Sequence, residues 1–174
     1  MIKKIGLVVL LAIAAGVILY NWNEYREKSI ADVLPLHAGE LTWMGFSKNR
    51  PTQDDKLYEW GTKDKEPMEE LLAFLSQYRV KRKHLGYEAL SQEVTALRNS
   101  ESAFEFELTR DKAETVLIYA NHNTVYVLMD RLYEIKNGPI NREWIDAFNE
   151  KYRKIYGNLK PSHEGFFLSR IDQP

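Results

Sequence analysis

The sequence predicts an α+β fold: an N-terminal transmembrane helix, then one domain in which an antiparallel sheet carries helices packed on one face. Three observations predict it. Residues 5–20 (IGLVVLLAIAAGVILY) hold no charge, and their one strong hydrogen-bonding side chain is the Tyr20 hydroxyl. Residues 103–136 run through short β-branched and aromatic stretches, the first of which alternates apolar and polar residues as a half-covered strand does. Two later stretches, led by Met68 and by Trp144, place apolar side chains at helical spacing.

The apolar run from Ile5 to Tyr20 is expected to sit in a lipid bilayer. Sixteen residues at ~1.5 Å rise make about 24 Å of helix. A hydrocarbon core of roughly 30 Å needs slightly more, which continuation through Trp22 and modest bilayer thinning supply. Tyr20, Trp22 and Tyr25 then fall at headgroup level, where amphipathic aromatics are favoured. Ten of the sixteen residues are Leu, Ile or Val, and insertion gains roughly 3–6 kcal/mol before end effects. A cleaved signal peptide, leading to secretion, is the competing reading, because Lys3 and Lys4 form a basic start. Bulky, charged residues (NWNEYREK) follow, however, where small residues should mark cleavage. The basic side chains Lys3 and Lys4 with the α-amine, against Arg26 and Lys28, place the amino terminus inside and the domain outside a single-pass membrane protein.

The expected organisation is an anchor and start of a stalk at 1–29, a connector at 30–39 and an extracytoplasmic domain at 40–174. The chain has 174 residues, enough for one domain with a real core behind the anchor. Its 24 basic and 25 acidic side chains argue against a general nucleic-acid binder, which needs a basic surplus. It has no cysteine, so there is no lipid-bearing cysteine and no disulfide, which fits an exported domain that avoids disulfides.

Residues 21–34 read as a stalk continuing the first helix until Pro35. Residues 40–47 (ELTWMGFS) read as a strand and 56–60 (KLYEW) as its returning partner. Pro67 suits a first helical turn, and Met68, Leu71, Leu72, Leu75 and Tyr78 follow on one face. That helix is expected to end in the cationic run Arg79-Val80-Lys81-Arg82-Lys83-His84. Tyr87, Leu90, Val94 and Leu97 mark a short helix over 87–98. Residues 103–108, 115–120, 124–129 and 132–136 read as strands, with Asn121-His122-Asn123 and Asn137-Gly138-Pro139 as turns. Asn141 is an N-cap flanked by a staple of Ile140 and Ile145, and Trp144, Phe148, Tyr152 and Ile155 continue the stripe to Gly157. Residues 165–168 (GFFL) are expected to pack back onto the domain.

The strand pair, the helix opening KEPMEELLAFL and the meander AFEFELTRDKAETVLIYANHNTVYVLMDRLYEI together resemble small exported or membrane-anchored proteins of Gram-positive bacilli. The likeness covers roughly residues 40–152. It implies a domain held outside the membrane and brings no catalytic residues with it. Many members carry a lipid on a cysteine, which this chain lacks.

No chemistry-bearing motif stands out. His37, His84, His122 and His163 have no metal-ligand spacing, and His122 is explained by turn chemistry. Asp54-Asp55 and Glu69-Glu70 are adjacent pairs, without the facing geometry that paired-carboxylate catalysis needs. Glu105 and Glu107 share a strand face that either meets water or meets a cation or basic partner. There is no nucleophile elbow and no phosphate-cradling glycine loop. No catalytic, cofactor or metal residue is assigned. The densest charge cluster, Arg79, Lys81, Arg82 and Lys83, is the candidate contact for an anion, either lipid or envelope polymer; helix-end capping is the plainer account. The expected role is a membrane-anchored, non-catalytic extracytoplasmic module that binds a protein or cell-envelope component. The alternative is a small-ligand sensor or carrier with a pocket among Trp43, Trp60, Tyr119 and Tyr126; an inserted hydrolase ranks below it.

Overall fold

The computed structural model describes residues 2–34, 41–48, 58–110, 115–128 and 131–157, except for the side chains of residues 2–5, 7 and 8. The first elements are α1 (Ile2–Tyr25), β1 (Lys28–Ser29), α2 (Ile30–Val33), β2 (Leu41–Ser47), β3 (Trp60–Thr62) and α3 (Lys65–Ser76). They are followed by β4 (Arg79–Arg82), α4 (Tyr87–Arg98), β5 (Phe104–Arg110), β6 (Thr115–Ala120), β7 (Thr124–Val127), β8 (Arg131–Ile135) and α5 (Arg142–Tyr156). The fold is α+β. Among the described residues eight strands form one antiparallel sheet in the order β1-β4-β8-β7-β6-β5-β2-β3.

The middle of the sheet is a meander, β5 to β8, built as the alternation requires. Phe106 faces Ile118 across the β5–β6 ladder, and Glu105 faces Tyr119. Phe104, Phe106 and Leu108 therefore share one face with Val116, Ile118, Met44, Phe46 and Trp60 in the main core. α3 and α5 close that face: Phe74 stacks on Trp144 at 3.6 Å, and Phe46 meets Phe148 edge-on at 5.3 Å. A buried amide in this layer is satisfied. Buried Asn149 accepts from Trp60 Nε1 at 2.7 Å and donates to Glu59 Oε2 at 3.0 Å. α5 begins as the sequence predicts, with Asn141 Oδ1 accepting from the Trp144 amide and Ile140 and Ile145 both buried. Gly138, at φ 111°, supplies the left-handed residue in the turn after β8.

Helices cover both faces of the sheet, not one. Leu90, Val94 and Leu97 of α4 pack on Tyr119, Tyr126 and Leu132. These sheet residues have the opposite parity to Val125, Val127 and Tyr133, which lie in the main core. An antiparallel sheet whose second face carries tyrosines and leucine has a second apolar surface to bury, and α4 supplies the cover.

Four other expectations change. The cationic run after α3 is not a helix end; α3 stops at Ser76 and residues 79–82 form β4, between β1 and β8. Residues 28–34 are not a stalk and connector, because β1 joins the sheet and Ile30, Val33 and Leu34 are buried in the main core. The returning strand begins at Trp60, later than expected. Ile155 is 55 % exposed, and Tyr156 takes the inward place beside Trp60 and Tyr152. Residues 49–57, His37, His163 and the tail at 165–168 lie outside the described residues. Among the described residues no helix is long and apolar enough to cross a membrane, so the fold itself does not establish the expected span. In α1 those residues are Gly6 and 9–25 for side chains, and the large apolar ones from Val9 to Trp22 are all more than half exposed.

On the α4 face, Trp43 and Tyr58 lie edge-to-face at 5.6 Å over Gly45 and Gly61. A Cβ at Gly45 would stand 2.5 Å from both rings. Gly45→Ala is therefore expected to cost about 1–3 kcal/mol, as overpacking does, read as a lower urea midpoint with an unchanged slope.

A polar clamp joins α3 to α5: Glu70 Oε2 accepts from Lys151 Nζ at 2.8 Å and from the Tyr152 hydroxyl at 2.5 Å. Burial alone would raise the Glu70 pKa, but those two bonds and the Lys151 charge together hold it below the usual carboxylate range. Burial and the bond to Glu70 push Tyr152 up to about 12. The clamp's stability is thus complete near neutral pH. It falls as Glu70 protonates in acid, below its ordinary range, and again as pH rises from the ordinary tyrosine range towards 12. Urea midpoints against pH should show an acidic decline that is shallower in Glu70→Gln.

Candidate functional site

The cationic residues singled out in the sequence sit where α1 meets the sheet. β1 begins three residues after the tyrosine that ends α1, and Lys28 pairs with Val80 while Ser29 pairs with Arg79. On its other side β4 pairs with β8, Lys81 facing Glu134 and Arg82 facing Tyr133. Strand alternation separates the four cations. Arg82 shares the face of Val80 and turns towards the last turn of α1, whereas Arg79 and Lys81 point the other way and are exposed.

Arg82 Nη1 is ion-paired with Glu24 of α1, and Arg131 Nε lies 3.9 Å from the same carboxylate oxygen. The Glu24 side chain is only 14 % exposed. The Arg82 guanidinium carbon also stands 5.7 Å from the centre of the Tyr25 ring. The Tyr25 hydroxyl and His84 Nδ1 share a hydrogen bond of 2.8 Å, and the two rings meet edge-on. Tyr25, expected among the headgroup aromatics, is thus a docking residue that fastens α1 to the domain. Burial raises the pKa of Tyr133 at this junction; Arg131 and Arg82 act against that rise and the Glu24 charge adds to it.

Lys83 is also engaged, through Nζ to Glu93 of α4 at 2.7 Å. The candidate set therefore divides into two partnered cations, Arg82 and Lys83, and two exposed ones, Arg79 and Lys81. Arg26, exposed, and Lys28, half-buried, follow directly beyond α1; Lys28 lies opposite Val80 in the β1–β4 ladder and so shares the face of Arg82, while Arg79 and Lys81 are on the other. The sequence reading placed none of Glu24, Tyr25, Arg26, Lys28 and Arg131 at this site: Tyr25 was expected at headgroup level, and Arg26 and Lys28 entered only as charges flanking the span. One available signal was Glu24 itself, an acid in the last turn of a helix, where the dipole disfavours it unless a cation answers it.

A concavity of about 180 Å³ lies on the α4 face, lined in part by Ser47, Arg98, Ser100, Glu101, Glu105 and Tyr119. The Arg98 guanidinium stands 4.8 Å from the centre of the Tyr119 ring. Of the four aromatic residues considered for a ligand pocket, Tyr119 alone lines this cavity. Trp60 is closed in the main core, Tyr126 lies under α4, and Trp43 covers the two glycines. The shared face of Glu105 and Glu107 is not simply wet: Glu105 is 8 % exposed, and Glu107 accepts from the Tyr58 hydroxyl. Burial first, and then Glu107, push the Tyr58 pKa far above the tyrosine range, so this phenol stays protonated. His122 Nδ1 contacts the Ile140 carbonyl at 3.2 Å in its turn. Among the described residues no group of three or more His, Asp or Glu could hold a metal ion.

No protein-family model, curated protein or solved structure matches the chain. The resemblance to exported proteins of Gram-positive bacilli rests on sequence pattern alone.

The junction makes a direct prediction. Glu24→Gln leaves two arginines facing a neutral amide and should cost about 1–2 kcal/mol, below the fully buried range because the arginines are part-exposed. Trypsin cleavage after Arg26 should speed up. Arg82→Gln should act similarly, and the double variant should fall short of the sum of the two, as a shared ion pair requires.

Proposed function

We propose that the chain is a membrane-anchored, non-catalytic module whose folded domain works at the membrane surface, on the extracytoplasmic side, by holding a protein or envelope component. The observation that carries the reading is the surface of α1. Val9, Leu10, Leu11, Ile13, Val17, Ile18 and Leu19 are all more than half exposed, and their positions run all round a helix of 3.6 residues per turn. A helix apolar on every side needs an apolar medium, and the domain's own core does not cover it. Trp22 and Tyr20, both exposed, follow at the end nearer the domain, where a bilayer's interface favours them.

The α1 junction adds a second support. An extension tied back by Glu24, Tyr25, Arg82 and His84 has a defined exit from the domain, as an anchor requires. The charge asymmetry around residues 5–20 favours the extracytoplasmic side. The non-catalytic part of the reading rests on the sequence, where no nucleophile, metal or phosphate motif occurs.

The test is flotation of the full chain with neutral phosphatidylcholine vesicles, followed by an alkaline carbonate wash. The chain should float and resist extraction. Leu11→Lys with Ile13→Lys adds two central lysines at ~2.5–3.5 kcal/mol each, which matches or exceeds the gain from the apolar run. That variant should stay in the aqueous fraction. A parent chain that remains soluble without detergent overturns the reading.

A further inference from the structure

We propose that the β1–β4 edge of the sheet lies against anionic lipid headgroups, with Arg26, Lys28, Arg79 and Lys81 as its contacts. The inference rests on the reading that α1 sits in a bilayer, and it names what the domain then touches.

Reach comes first. Chain extension of at most ~3.6 Å per residue puts the Lys28 Cα within about 11 Å of the end of α1. β4 starts from the same place: Arg82 touches Glu24 and Tyr25, Lys81 is the next residue, and Arg79 lies about 10 Å away along the strand. A charged lipid surface acts over about 8 Å at physiological salt. If the sheet edge lies along the membrane, all four cations fall within that range; if the domain stands upright, only those nearest α1 do.

Charge comes second. Arg82 is held by Glu24, and Lys83 by Glu93. Glu134, which faces Lys81 in the ladder, is paired with Lys136 at 3.0 Å. Asp32 is taken up by the capping box of α2, where it accepts from the Ser29 amide at 3.2 Å. Arg26, Lys28, Arg79 and Lys81 make no ion pair with any described residue, and Glu27 is the remaining acid among them. The edge is therefore a cationic strip that draws on both faces of the sheet, Lys28 from the Val80 face and Arg79 and Lys81 from the other, on a chain whose net charge is −1. Such a chain has no general attraction for polyanions in solution. The strip works by being held at a surface, and the tether that holds it there is α1. Lipid headgroups are the anion that this tether delivers.

The test uses the full chain, whose lack of cysteine makes an introduced one unique. Gln77→Cys carries a nitroxide at the end of β4 remote from α1. Collisions with a nickel-chelating lipid headgroup are compared in phosphatidylcholine vesicles with and without phosphatidylglycerol. Collisions should rise severalfold with the anionic lipid and collapse in high salt. Each of Lys28→Gln and Lys81→Gln should lower the docking equilibrium about fivefold. Lys83→Gln, whose parent side chain is already paired, should leave it unchanged. Flotation on both vesicle types with equal collisions overturns the docking and leaves the anchor intact. A rise that survives the Lys28→Gln, Lys81→Gln double substitution overturns the assignment of contacts. Failure to float with either vesicle removes both readings.

Discussion

Along β5 and β6 every second side chain faces the layer made by α3 and α5, and the intervening ones face α4. A slip of one residue would exchange Phe104, Phe106 and Leu108 for Glu105, Glu107 and Thr109 in the main core, an exchange no nearby contact offsets. The ladder that prevents it is continuous, from Phe104–Ala120 to Thr109–Thr115, and β2 matches it on the other side from Ser47 to Trp43, before the register shifts at Leu41. Once this register is set, the two faces follow. One is aromatic and aliphatic and takes two helices. The other presents Tyr119, Tyr126 and Leu132 to α4, and Glu105 and Glu107 to the region of Tyr58 and Arg98.

The same alternation reaches the margin of the sheet, where it has a different outcome. β4 has four residues, and only Val80 is buried there. Its neighbour on the same face, Arg82, emerges beyond the core and meets α1. The sheet period therefore selects which cation in a basic run answers Glu24 and which are turned to solvent.

Much of the fold was legible in the sequence. α4 falls on the stretch marked by Leu90, Val94 and Leu97, and α5 begins at the Asn141 cap, because both signals are local: a helical stripe and a side chain three residues from the amide it accepts from. β5 was legible from alternation, and β6 and β7 from their β-branched and aromatic residues. β4 was not. Its one buried apolar residue stands among cations, so no period shows; the strand exists because β1 and β8 pair with it. The burial of Ile30, Val33 and Leu34 was hidden for the same reason, since their partners lie in elements far along the chain. At the candidate site the residue types were legible and their division was not. Arg82 and Glu24 are 58 positions apart, and only the fold decides that they meet.

Glu24 breaks a local rule. The last turn of a helix carries a partial negative charge, and a carboxylate there costs roughly 0.3–1 kcal/mol. α1 contains a second liability if its end lies near anionic headgroups, because the same carboxylate would be repelled. Arg82 and Arg131 answer both. One glutamate between two arginines leaves a local charge of +1, so the helix end reads as cationic to a nearby surface, and the pairing also ties the helix to β4 and β8. Places where a sequence violates a local preference and a tertiary contact compensates are where specific attachment is built. In this chain that place is the point at which an apolar helix becomes a folded domain. The two residues between them, Arg26 and Glu27, leave little slack, so whatever position α1 takes is passed to the sheet through Glu24 and Tyr25.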